Sequence, residues 1–173
     1  DRGQRVKLAP QPFILEIDVS TKPPTYTRHD LSASIVREPL SLALQGDGTL
    51  LIGSAPKDGE PKGNPAGITQ VDLAWNATAL IDKIPSSGNP LIAPNAIAWR
   101  DSETAYIIDT GLRPFWTQQV IADPFIRDVA RPAGVYLLDL STTPPSITAA
   151  ADQDQLVAPT AAVLSGGNLF ISD

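Results

Sequence analysis

At 173 residues, with 42% apolar and 18% charged residues, the chain is long enough for one domain with a real core and too apolar for a disordered segment. A net charge of −6 and a pI near 4.6 disfavour nucleic acid and anionic membrane surfaces, since both need a basic patch. No apolar run approaches the ~18 residues of a membrane-spanning helix, and the absence of cysteine removes disulfides and thiolate chemistry.

Seventeen prolines and twelve glycines interrupt the chain too often for long helices, so the expectation is an all-β fold. The lack of any methionine, residue 1 included, suggests a processed or trimmed chain and leaves a secreted or periplasmic location open.

Residues 1–12 read as a loop. Phe13–Val19 is a strand, Ser20–Thr25 a turn stiffened by Pro23-Pro24, and Tyr26–Asp30 a second strand. Leu40–Gln45 and Leu50–Ser54 follow, joined by Gly46-Asp47-Gly48-Thr49, where Asp-Gly between apolar runs signals a hairpin. After a polar loop, Ala55–Ala66, come a strand at Gly67–Leu73, a turn at Trp75–Thr78 and a strand at Ala79–Ile84. Asn95–Arg100 and Thr104–Asp109 form the next hairpin, and Thr110–Ala133 is the longest loop. Gly134–Leu140 and Ser146–Ala150 then precede a last hairpin, Thr160–Leu164 and Asn168–Asp173.

These elements repeat. Ile14–Thr27 (ILEIDVSTKPPTYT) returns as Val135–Thr148 (VYLLDLSTTPPSIT), and Ile68–Leu73 with Asn76–Thr78 is a weaker copy. The hairpins align too, each opening on a proline: Pro39, Pro94 and Pro159. The unit is a hairpin, a long loop, and two more strands joined by a short turn. Two complete units run over residues 39–84 and 94–150, and a third is split between residues 160–173 and 13–30.

Four-stranded units repeated around an axis make a β-propeller, and a closed ring needs ~4–8 of them. Three units do not close one. Either two chains pair as a homodimer, each supplying the C-terminal hairpin that completes the other's N-terminal strands in a six-bladed ring, or the chain is part of a longer polypeptide that supplies the remainder.

The stretches Ala93-Pro94-Asn95-Ala96-Ile97-Ala98-Trp99 and Tyr106-Ile107-Ile108-Asp109-Thr110-Gly111 resemble those of the NHL and gluconolactonase/regucalcin-like six-bladed propellers, as does Gly134-Val135-Tyr136 followed by Asp139. The resemblance implies a divalent cation, usually calcium, on the central axis, held by carboxylates and asparagines at the start of the first strands. Asn95 is the position that matches, Leu40 and Thr160 at the equivalent places depart from the pattern, and Glu38 is the nearest additional carboxylate.

Other constellations carry less chemistry. His29, the single histidine, neighbours Asp30, but adjacent strand residues point to opposite faces, so a strand-end histidine is expected rather than a general base. Asp18, Asp72 and Asp139 recur at strand ends and are expected to cap turns, and Asp109 and Asp173 to brace the loops that follow them. Asn76-Ala77-Thr78 fits the glycosylation acceptor pattern on a tight turn, where an asparagine is expected anyway.

The loop of residues 112–132 carries Arg113, Trp116 and Arg127, the residue types of a binding surface on a rigid scaffold. Together with loops 1–12 and 55–66 it would roof the channel. The functional expectation is a binding or scaffold propeller for a small-molecule ligand or partner, through Asn95, Glu38, Arg113, Trp116 and Arg127. The alternative is a divalent-cation-dependent lactonase- or lyase-like enzyme.

Overall fold

Short runs of Leu, Ile, Val and Ala bounded by Gly, Pro and Asp fold as strands wherever the computed structural model describes the chain, at residues 11–36, 38–55, 66–81, 89–111, 133–151 and 156–173. Among these residues there is no helix. The strands are β1 (Phe13–Asp18), β2 (Thr25–Asp30), β3 (Glu38–Leu44), β4 (Leu50–Ala55), β5 (Gly67–Val71), β6 (Ala77–Ile81), β7 (Pro94–Trp99), β8 (Thr104–Asp109), β9 (Gly134–Asp139), β10 (Ser146–Ala149), β11 (Ala161–Ser165) and β12 (Asn168–Ser172).

They form two four-stranded antiparallel sheets, β3-β4-β5-β6 and β7-β8-β9-β10, and two two-stranded sheets, β1-β2 and β11-β12. The four-stranded units predicted over residues 39–84 and 94–150 are therefore present, each strand pairing with its neighbour in sequence. Residues 13–30 and 160–173 do not share a sheet within one chain; the split unit is two separate pairs.

Strand ends differ from the sequence reading for identifiable reasons. β3 and β7 start earlier than Leu40 and Asn95 because both are edge strands, where a proline's missing amide removes no ladder bond. Pairing runs Pro39↔Ser54 then Ser41↔Gly53, and Pro94↔Asp109 then Ala96↔Ile108, so Leu40 and Asn95 are the bulged residues of matching irregularities. β6 starts at Ala77 rather than Ala79, because the turn after β5 closes early, with Asp72 N–H donating to Asn76 O; the predicted end of this strand at Ile84 lies outside the described residues.

The founding repeat is a repeat of structure. Asp18 Oδ1 accepts from Ser20 N (2.8 Å) and Ser20 Oγ (2.6 Å), and Asp139 Oδ1 accepts from Ser141 N (2.9 Å) and Ser141 Oγ (2.6 Å). Both turns continue into a cis peptide, Lys22-Pro23 and Thr143-Pro144. The serine bonds hold the Asp18 carboxyl below the usual range. Asp72 makes the corresponding turn with different partners, Ala74 N and Asn76 N, each at 2.9 Å.

Alternation along the strands gives each four-stranded sheet two faces. Leu51, Ile68, Ile97, Ile107, Tyr136 and Leu138 fill the core between the two large sheets. On the opposite face of the first sheet, Ile52 and Val71 pack with Leu31, Val36 and Ile14, which seats β1-β2 there.

Candidate binding site along the first strands

β3, β7 and β11 are the first strands of successive units and lie side by side without ladder pairing. Side-chain bonds to backbone hold them. Ser41 Oγ donates to Pro94 O (2.7 Å), Trp99 Nε1 to Ala43 O (3.4 Å) and Asn95 Nδ2 to Pro159 O (3.3 Å). The approach of β4 to β7 is so close that a Cβ on Gly53 would collide with Ser41 Oγ and sit 2.6 Å from Pro94 O, which explains the glycine.

An aspartate anchors the entry to two of the three first strands, β7 and β11. Asp109, buried at the end of β8, accepts from Ile92 N (2.8 Å), Ala93 N (2.9 Å) and Gly111 N (2.7 Å). Burial pushes its carboxyl up to about 6, against the three amides that favour the ionised form. Asp173 does the same for Val157 and Ala158. The sequence reading is corrected here: both aspartates brace mainly the segment preceding a first strand, and only Gly111 lies in a loop that follows. In the first large sheet Ser54 takes this place, opposite Pro39, and its buried Oγ has no partner among the described residues.

The expected cation position does not assemble as a ligand set. Asn95, whose amide nitrogen donates to Pro159 O, has one side-chain oxygen to offer, Leu40 and Thr160 stand at the equivalent positions without a carboxylate, and Glu38 is exposed at the start of β3. Among the described residues no three acidic or histidine side chains converge. A hard cation wants about six oxygens, several of them carboxylates, and these residues do not fit that requirement. Arg113, Trp116 and Arg127 lie outside the described residues, as do most of the three loops expected to roof the channel.

A groove of about 260 Å³ opens between β1 and β3. Phe13, Ile14 and Leu15 form one wall, Pro39, Leu40, Ser41 and Leu42 the other, and Ile52 lies at its base. Of the predicted first-strand positions it contains Leu40. Sequence reading missed it because a groove depends on which neighbours are absent, and strand pattern does not record that.

His29 lies at the end of β2, as expected, and is largely covered. Its ring stacks on Trp75, with centroids 3.4 Å apart, and Nε2 lies 2.9 Å from Glu16 Oε2. Asp30 instead pairs with Arg28 (2.7 Å), whose guanidinium lies 4.1 Å over the Phe13 ring. The β1–β2 register, with Glu16 opposite Thr27, sets Glu16 diagonal to His29, a signal available once the hairpin is drawn. Asn76 donates its side-chain amide to Asp72 (2.9 Å), in keeping with a turn role.

No protein-family model, curated protein or solved structure matches the chain.

Proposed function

We propose that the chain is a β-propeller binding protein, in which β3, β7 and β11 line a central channel that receives an uncharged ligand or a partner's loop. The observation that carries this reading is the side-by-side arrangement of these strands, with Leu40 and Asn95 at matching bulges and Thr160 at the equivalent place just before β11. Those positions offer one amide, one hydroxyl and an apolar wall, the mixture that suits a mostly apolar pocket with few orienting polar groups. The resemblance to NHL and gluconolactonase/regucalcin-like propellers supports the architecture. The lactonase- or lyase-like alternative rests on Asn95 alone.

Calcium separates the two. In the binding reading, adding calcium leaves the melting temperature unchanged and lactone substrates are not turned over. Small neutral compounds then shift the NMR signals of the Leu40 methyls and the Asn95 side-chain amide. Calcium-dependent stabilisation together with calcium-dependent lactone hydrolysis, both lost in Asn95→Ala, would replace this reading with the enzyme.

A further inference from the structure

Two open strand edges carry matching hydrogen-bond phases. In β11-β12 the two-residue turn Gly166-Gly167, with φ of 56° and 79°, makes Ser165 and Asn168 a hydrogen-bonded pair. Val163 and Phe170 form the next such pair, so the amides of Leu169 and Ile171 point to the open edge of β12. In β1, the bond from Leu31 N to Pro12 O sets the alternation. Ile14 and Glu16 therefore bond to β2, while Phe13, Leu15 and Ile17 present their amides on the open edge.

The repeat fixes how those edges would meet. Asp173 matches Asp109 as the clamp before a first strand, and Asp18 matches Asp139 as the turn cap. The β8–β9 ladder runs from Thr104↔Asp139 to Asp109↔Gly134. Carried onto the equivalent residues, it runs from Asn168↔Asp18 to Asp173↔Phe13, placing Leu169 opposite Ile17 and Ile171 opposite Leu15. Outward amides thus meet outward amides, with no shift needed.

Exposure gives an independent reason. Leu15 and Ile17 are 47% and 53% exposed, whereas Tyr136 and Leu138, at the same positions of β9, are 3% and 0% exposed. Leu42 is 51% exposed, and its counterpart Ile97, covered by the preceding sheet, 7%. Each of these side chains is bare where a preceding hairpin or sheet would cover it. Val163 and Phe170, bare on the opposite side of β11-β12, face where a following sheet would pack.

We infer that a second copy of this chain inserts its β11-β12 hairpin beside β1, with Leu169 and Ile171 pairing with Ile17 and Leu15, and that the exchange is reciprocal. The hairpin fills the groove between β1 and β3, and the two completed sheets join the four large ones in a six-unit ring. One chain carries both halves of the junction, so a single contact used twice closes the ring with two-fold symmetry. The ring rests on the propeller reading above, but the junction can be read without any ligand.

Because the chain has no cysteine, a Glu16→Cys, Phe170→Cys double variant tests the register directly. These positions form a non-hydrogen-bonded pair in the inferred ladder, with Cα atoms about 4.5 Å apart, within disulfide reach. Mild oxidation yields a covalent dimer of twice 18.3 kDa, whereas the Glu16→Cys, Ile171→Cys pair, on opposite faces, does not cross-link. The unmodified chain sediments at the dimer mass, and Ile171→Pro, which blocks only an outward amide, falls to the monomer mass while its circular dichroism is retained. A monomeric unmodified chain, a bridge within one chain, or equal cross-linking of both pairs overturns the inference. Failure of ligand binding with the cross-link intact would instead overturn the function proposed above.

Discussion

Asp109 concentrates opposing forces at a single carboxyl. Its folded value of about 6 lies above the 3.8 of an exposed aspartate, so between these values the folded state holds more proton than the unfolded one. The stabilisation from this group is therefore fully present below pH 4 and is lost as pH rises through 6, a span worth on the order of 3 kcal/mol. Denaturant titrations from pH 4 to 7 are expected to show this decline, and Asp109→Asn to flatten it. The same variant turns one acceptor into a donor facing backbone amides and costs about 1–3 kcal/mol near pH 7. Gly53→Ala is a different kind of strain: its new methyl meets Ser41 Oγ and Pro94 O. Overpacking of this kind costs about 1–3 kcal/mol. Adding Ser41→Ala is expected to recover only part of the loss in a urea midpoint, because Pro94 O is backbone.

Legibility at this scale followed sequence distance. The bonds of Asp18 and Asp139 reach only two residues, so their turn-capping role could be read from the repeated Asp-x-Ser-Thr. Asp109 reaches back 17 residues to Ile92, and nothing in its neighbours indicated the direction. Nor did strand alternation bring Glu16 to His29 until the hairpin register was known.

Among the elements, hairpins and four-strand units were legible because period-two apolar runs and Gly- or Asp-bearing turns are local features. Strand ends were less so, since bulges at Leu40 and Asn95 depend on the partner strand. The turn of β11-β12 allows a sharp test. Both glycines have positive φ and open space around a would-be Cβ, so only backbone conformation sets the cost of replacement. Gly167→Ala is expected to lower stability by about 1 kcal/mol, as an L-residue pays for the left-handed region. Gly166→Asn is expected to be nearly neutral, because Asn-Gly is a favoured pair for this turn. Thermal melts of the two variants, measured at one protein concentration, separate them.

For the whole molecule, Leu138 and Ile17 occupy the same place in the repeat but different surroundings: one is sealed between the large sheets, the other lies bare on β1. Truncating Leu138 to alanine empties a closed core and is expected to cost about 2–5 kcal/mol at every protein concentration. Ile17→Ala removes a side chain that a single chain leaves 53% exposed, so the larger part of its effect depends on whether a second chain covers it. If the ring closes by exchange of hairpins, folding is linked to association, and the melting temperature of the unmodified chain rises with protein concentration. Ile17→Ala then flattens that rise and lowers the dilute limit far less than Leu138→Ala, which shifts the whole curve downward. Melts over a hundredfold dilution series distinguish the two, and a concentration-independent melt in all three proteins would mean that the bare face of β1 remains uncovered.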